Sequence, residues 1–273
     1  MTRGRALRGR CLGAALCVLA TTAGAHAAAP GAIANVRGIR MYYEVHGHGE
    51  ALLLLHGGAG NGQQFSKQVP YFEGLYRLIV PDLCAQGRST DREGPLTYHD
   101  MADDVIALMD HLHVKRARVM GWSDGGVIGL DLAMHHPDRI THVVAFGANF
   151  RADGLEAADV AWNDTATAAA FGDDMKRGYQ ALSPDPQHFE VAMNKVIALW
   201  KTQPNWTPAD LGRIRAKTMI VAGEFDLIRR EHTEALAHAI PGARLWIVPG
   251  ANHGVMIDQA DQVNPVVRDF LAH

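Results

Sequence analysis

Cysteine is almost missing from this 273-residue chain, which has three: Cys11, Cys17 and Cys84. The first two fall in an N-terminal stretch that reads as a cleaved segment. Cys84 then stands alone, and no intramolecular disulfide can form. A lone cysteine among apolar neighbours reads as a small buried side chain rather than a reactive thiol. A surplus of positive charge is missing too: 26 Lys and Arg against 29 Asp and Glu give a net charge of -3. That excludes the basic footprint of a nucleic-acid binder and gives no attraction to an anionic membrane surface. The N-terminal apolar run is shorter than the roughly 20 residues of a membrane-spanning helix. Beyond that stretch the sequence has no internal repeat and no low-complexity segment.

What is present is ordinary core material. Apolar residues make up 48% of the chain and charged residues 20%, enough for one large domain or a domain with a small insertion. Arg3, Arg5, Arg8 and Arg10 give a basic start, Cys11 to Ala20 is apolar, and Ala25-His26-Ala27 fits a small-residue cleavage site. This is the layout of a secretory signal peptide over 1–27. The N-terminal stretch has no adjacent Arg-Arg pair to suggest a twin-arginine route. The mature form is therefore expected to be secreted or periplasmic, with no membrane in its final state.

Further on, β-rich and apolar runs alternate with helical periodicity. Strands are read at Ile39–Val45, Ala51–Leu55, Tyr76–Val80, Ala117–Met120, His142–Phe146, Thr218–Ala222 and Arg244–Val248. Helices are read at Thr97–His113, from Gly125 to His136, at Glu231–Ile240 and at Ile257–Leu271, the last interrupted near Pro265. Uniformly apolar strands between helices imply a mostly parallel sheet with helices on both faces. The core is assigned to 28–150 and 216–273. Between them, 151–215 breaks the rhythm with helix-like pieces (Glu156–Phe171, Asp174–Leu182, Gln187–Lys201) and reads as a helical cap over the strand ends.

The chemistry gathers where strands end. Gly121-Trp122-Ser123-Asp124-Gly125 matches G-x-S-x-G between an apolar strand and a helix. A serine on such a turn is strained and exposed, and the helix N-terminus directs N–H groups at charge developing beside it. Among fifteen histidines, His253 stands out on a glycine-flanked loop directly after a strand. Asp226 ends another strand. Asp82 and Asp258 compete as the acid, but the order Ser123, Asp226, His253 is the one such a triad follows. Oxyanion donors are expected from the backbone N–H of Asp124 and from Gly58, with His56 bracing the latter's loop. His111-x-His113 is a poor metal site, because those positions do not share a helical face. No metal and no organic cofactor is expected.

These motifs resemble the α/β-hydrolase fold superfamily from about Gly38 to the C-terminus. The resemblance rests on His56-Gly57-Gly58, Pro81-Asp82 through Gly87-Arg88-Ser89, the Ser123 elbow, Gly223-Glu-Phe-Asp226 and Asn252-His253-Gly254. The Gly-Trp-Ser-Asp-Gly-Gly elbow followed by Phe146-Gly-Ala-Asn149 looks like the biphenyl-hydrolase-like, or valacyclovir-hydrolase-like, branch, which includes amino-acid ester hydrolases. Many relatives have Arg-Gly where this chain has Cys84-Ala85, a departure that touches pocket detail. The resemblance implies a serine hydrolase acting on a small-molecule carboxylic ester through an acyl-enzyme, and the N-terminal layout adds export. A lactonase, a small-peptide aminopeptidase and a carbon–carbon bond hydrolase use the same triad; a ligand-binding protein without turnover is the alternative of another class. Asp124 and Trp122 are the candidate substrate-binding residues, Asp124 through a substrate amino group.

Overall fold

The computed structural model describes residues 31–273; the proposed signal segment lies outside the described residues. Eight strands form one sheet in the order β1-β2-β4-β3-β5-β6-β7-β8. They are β1 (Ala32–Val36), β2 (Ile39–His46), β3 (Ala51–Leu55), β4 (Arg77–Pro81), β5 (Ala117–Trp122), β6 (Ile140–Phe146), β7 (Lys217–Phe225) and β8 (Arg244–Asn252). β2 pairs antiparallel with both β1 and β4, while β3 to β8 pair in parallel. β1 was not anticipated. It is a five-residue edge strand, too short to show a period, joined to β2 by a turn in which Arg37 and Gly38 both have positive φ (45° and 87°).

Helices α1 (Val69–Phe72), α2 (Tyr98–His111), α3 (Asp124–His135), α4 (Ala157–Thr165), α5 (Gly172–Leu182), α6 (Phe189–Thr202), α7 (Pro208–Leu211), α8 (Arg230–Ala239), α9 (Val255–Asp258) and α10 (Ala260–Leu271) complete the chain. Strand alternation divides the core in two. Leu53, Leu55, Val119, Val143 and Ala145 pack with α2, α3 and α8, whereas Leu52, Leu54, Met120, Val144 and Phe146 pack with α10. The central strand β3, apolar at every position, is thus buried on both faces.

Two expected helices are divided differently. The Glu156–Phe171 piece ends as α-helix at Thr165 and resumes as a short 3-10 turn over Ala168–Phe171, after Ala166 and Thr167 take extended backbone. The break in the last helix falls at Gln259 and not at Pro265, which lies inside α10. Proline there forfeits a single helical hydrogen bond, outweighed by burial of Val263, Val267, Phe270 and Leu271. Cys84 is buried, and burial pushes its thiol up to about 11, an unreactive thiol as the sequence suggests.

β4 and β5 flank β3 on opposite sides, so the connection from β3 to β4 and the next, from β4 to β5, run in opposite directions. Loops beyond the carboxyl ends of the strands at such a switch point leave a crevice between them. The residues with chemistry are in those loops.

Candidate active site

Ser123 follows β5 and precedes the first turn of α3, with φ 54° and ψ -119°. Only close packing holds a non-glycine residue there. A Cβ on Gly121 would lie 2.1 Å from the Gly125 carbonyl oxygen, and one on Gly125 would lie 1.9 Å from that of Leu55. Both glycines are therefore required by the approach of strand, helix and the β3 end. The Ser123 N–H donates to the Phe146 carbonyl at 2.7 Å and pins the turn to β6.

Asp226 follows β7, and its carboxylate is 2% exposed. It accepts hydrogen bonds from the N–H of Gly223 at 3.2 Å and of Ile228 at 3.1 Å. His253, just past β8, donates Nδ1–H to Asp226 Oδ1 at 2.7 Å. That bond leaves Nε2 as the acceptor of the ring. Gly147 has φ +55°, and a Cβ there would fall 2.7 Å from the His253 ring. Ser123 and His253 line one cavity, of about 250 Å³. They are not hydrogen-bonded to each other; such bonds commonly tighten only in a substrate complex.

The competing acids do other work. Asp82 is buried, accepts from Arg88 Nε at 2.7 Å and from the Gly62 N–H at 2.8 Å, and so ties two loops together. Asp258 sits by Gly254 rather than on the His253 ring. His56 is fully buried. It donates Nδ1–H to the Gly57 carbonyl at 2.7 Å, and its Nε2 accepts the Leu83 N–H at 2.9 Å. Both ring nitrogens are committed and burial lowers its pKa, so it is a brace for the loop carrying Gly58. The backbone N–H groups of Gly58 and Asp124 have no acceptor among the hydrogen bonds of the described residues, and both residues line the cavity.

Asp124 does not face solvent. It is 4% exposed, accepts the Tyr98 hydroxyl at 2.9 Å, and accepts the Trp200 indole N–H at 3.0 Å to each oxygen. Burial raises its pKa, and the hydrogen bonds from Trp200 and Tyr98 oppose the rise. Among the described residues no Lys or Arg lines the cavity; its other acid there is Asp159 and its histidine is His253. Asp124 is thus a buried carboxylate with hydrogen-bond donors but no fixed cation.

Trp122 also reaches the cavity, yet its polar end is engaged: Nε1–H donates to the His253 carbonyl at 2.8 Å, and the two rings lie 5.6 Å apart. The indole positions the His253 loop as well as lining the wall. Trp122→Phe removes the donor and leaves that carbonyl unpaired, a loss on the order of 1 kcal/mol or more. The expected result is a kcat lower by roughly tenfold with an unchanged circular-dichroism spectrum. An unchanged kcat would show that the bond does not position His253.

Tyr98 and Gln203 in this cavity carry no signal in the sequence, and nothing there marks Trp200 for its indole N–H. They come from α2, α6 and the turn after α6, and converge only through tertiary packing. Among the described residues, the one cluster with metal-ligand chemistry lies away from this cavity.

Residues 50–195 match the α/β-hydrolase fold family. The chain is 29% identical over 264 residues to the mouse serine hydrolase BPHL, covering 86% of this chain and 84% of that one. It is 26% identical to a 2-hydroxy-6-oxo-6-phenylhexa-2,4-dienoate hydrolase of Burkholderia cepacia, covering 86% and 92%. Its fold is similar to that of the enol-lactonase from Burkholderia xenovorans, with TM-score 0.71, 23% identity and coverage of 89% and 100%. The family match spans more than half the chain and includes the Ser123 elbow; the chain belongs to the α/β-hydrolase fold family.

Proposed function

We propose that the protein is an exported serine hydrolase that cleaves carboxylic esters by way of an acyl-enzyme, with preference for an acyl group carrying an amine. The observation that carries the hydrolytic reading is the Asp226–His253 bond at 2.7 Å facing the same cavity as the strained Ser123. Ser123 Oγ attacks the acyl carbon while His253 Nε2 takes its proton. Asp226 holds the imidazole in the needed tautomer and steadies the imidazolium. The N–H groups of Gly58 and Asp124 receive the oxyanion. His253 then protonates the leaving alcohol, and water repeats the sequence to release the acid. The helices of 151–215 act as a cap that excludes water and shapes the pocket. No metal or cofactor takes part in these steps.

The amine preference rests on charge. A cavity with carboxylates at Asp124 and Asp159 and, among the described residues, no Lys or Arg favours a cationic substrate. The same charges disfavour an anionic one, such as the dienoate in the name of the Burkholderia cepacia relative. Export is inferred from the basic, apolar and small-residue order of the first 27 residues, and N-terminal sequencing of secreted material tests it.

Hydrolysis of matched aminoacyl and neutral acyl esters tests the substrate reading. Asp124→Asn keeps an acceptor for Tyr98 and Trp200 but removes the charge. It is expected to cut the kcat/KM preference for the aminoacyl ester by roughly 10- to 100-fold, the worth of a charge-assisted hydrogen bond. An unchanged preference would refute amine recognition and leave the triad untouched. A burst of p-nitrophenol from a short-chain ester separates an enzyme from a ligand-binding protein without turnover.

A further inference from the structure

Two imidazoles converge on one carboxylate between α2 and α3, outside the catalytic cavity. Asp131 lies on α3, and its side chain is only 2% exposed. His99 Nδ1 is 2.9 Å and His135 Nδ1 is 3.0 Å from the same oxygen, Oδ1. Asp131 and His135 are four residues apart on one helix and share a face. His99 comes from the first turn of α2, which packs against α3. The two imidazole rings meet edge to face with centroids 4.5 Å apart. One ligand atom from each of the three residues lies within 4.8 Å of the other two. Among the described residues no Lys or Arg pairs with Asp131.

We propose that His99, Asp131 and His135 form a surface binding site for a divalent transition-metal ion, zinc or copper(II). Two imidazole nitrogens and a carboxylate oxygen suit these ions, whose ligand bonds are about 2.0–2.2 Å. Ligands at such bond lengths around a tetrahedral ion lie roughly 3.3 Å apart, so the present separations require only small side-chain rotations. The ion takes the place of the Nδ1 protons now shared with Asp131: a neutral imidazole moves that proton to Nε2, and a protonated one releases its extra proton to solvent. The side chains of His99 and His135 are 53% and 33% exposed, which admits the ion and the water that completes its shell. His99 follows Tyr98, the donor to Asp124, while Asp131 lies on the helix that Ser123 begins. A bound ion clamps these two helices together behind the cavity, so its effect is on rigidity and stability rather than on the reaction.

Protons compete with the ion for the imidazole nitrogens, so titrations belong at about pH 8. The test is isothermal titration of the untagged full chain with zinc chloride, beside His99→Ala and His135→Ala. Both are partly exposed side chains outside the catalytic cavity, and circular dichroism verifies folding. The expected result is one tight equivalent in the parent chain and a loss of affinity of roughly 10- to 100-fold in each variant, with ester turnover kept. Copper(II) paramagnetic resonance should show nitrogen splitting that falls from two nitrogens to one in either variant. No binding tighter than on the order of 100 µM would overturn the site. Equal affinity and equal nitrogen splitting in parent and variants would also overturn it, placing the ion on other histidines.

Discussion

Ser123→Ala is expected to lower kcat for ester hydrolysis by on the order of 10⁶-fold and to leave the fold intact. The size follows from the division of labour. On the proposed mechanism, loss of Oγ removes the covalent intermediate and leaves only the oxyanion donors and substrate binding. The fold should survive because the Ser123 side chain makes no capping hydrogen bond and alanine keeps the same Cβ. The strained backbone is imposed by Gly121 and Gly125 on either side, which the substitution does not touch. Turnover of a p-nitrophenyl ester together with a thermal melt checks both halves. Activity within about tenfold of the parent would show that another group is the nucleophile.

Asp226→Asn is the second large effect, a fall of on the order of 10⁴-fold in kcat. Asp226 now accepts the His253 Nδ1 proton and two backbone N–H groups. An asparagine at 226 can preserve a bond to the ring by turning its NH₂ toward Nδ1, which then places the imidazole proton on Nε2. That nitrogen can no longer accept the Ser123 proton, so geometry survives and basicity is lost. The expected signature is a collapse of kcat with little change in KM. A variant that keeps kcat within about tenfold would mean that His253 does not depend on Asp226 for its tautomer.

How much of this was readable beforehand divides along physical lines. The elbow was legible because its constraints are local: a strand, two glycines forced by backbone contact, and a helix start, all within one turn of sequence. Asp226 and His253 were legible because each directly follows an apolar strand, and a parallel sheet gathers such positions at one edge. The roles of Tyr98 and Trp200 were not legible. Their contacts with Asp124 span 26 and 76 residues, and nothing periodic in the sequence marks them. Trp122 illustrates a partial reading: its place at the cavity could be guessed from the elbow, but its bond to the His253 carbonyl spans 131 residues. The end of the chain shows the converse, where Pro265 suggested a local break and the buried face of α10 overrode it.

Covalent capture is the most direct test of the central claim, that Ser123 is a nucleophile activated by His253 and Asp226. The wild-type chain is treated with a fluorophosphonate, its intact mass measured, and the modified peptide sequenced by mass spectrometry. The expected result is a single adduct on Ser123, slowed by a competing ester and lost in Ser123→Ala. An adduct on any other residue, or none under conditions where an ester is still hydrolysed, would contradict it.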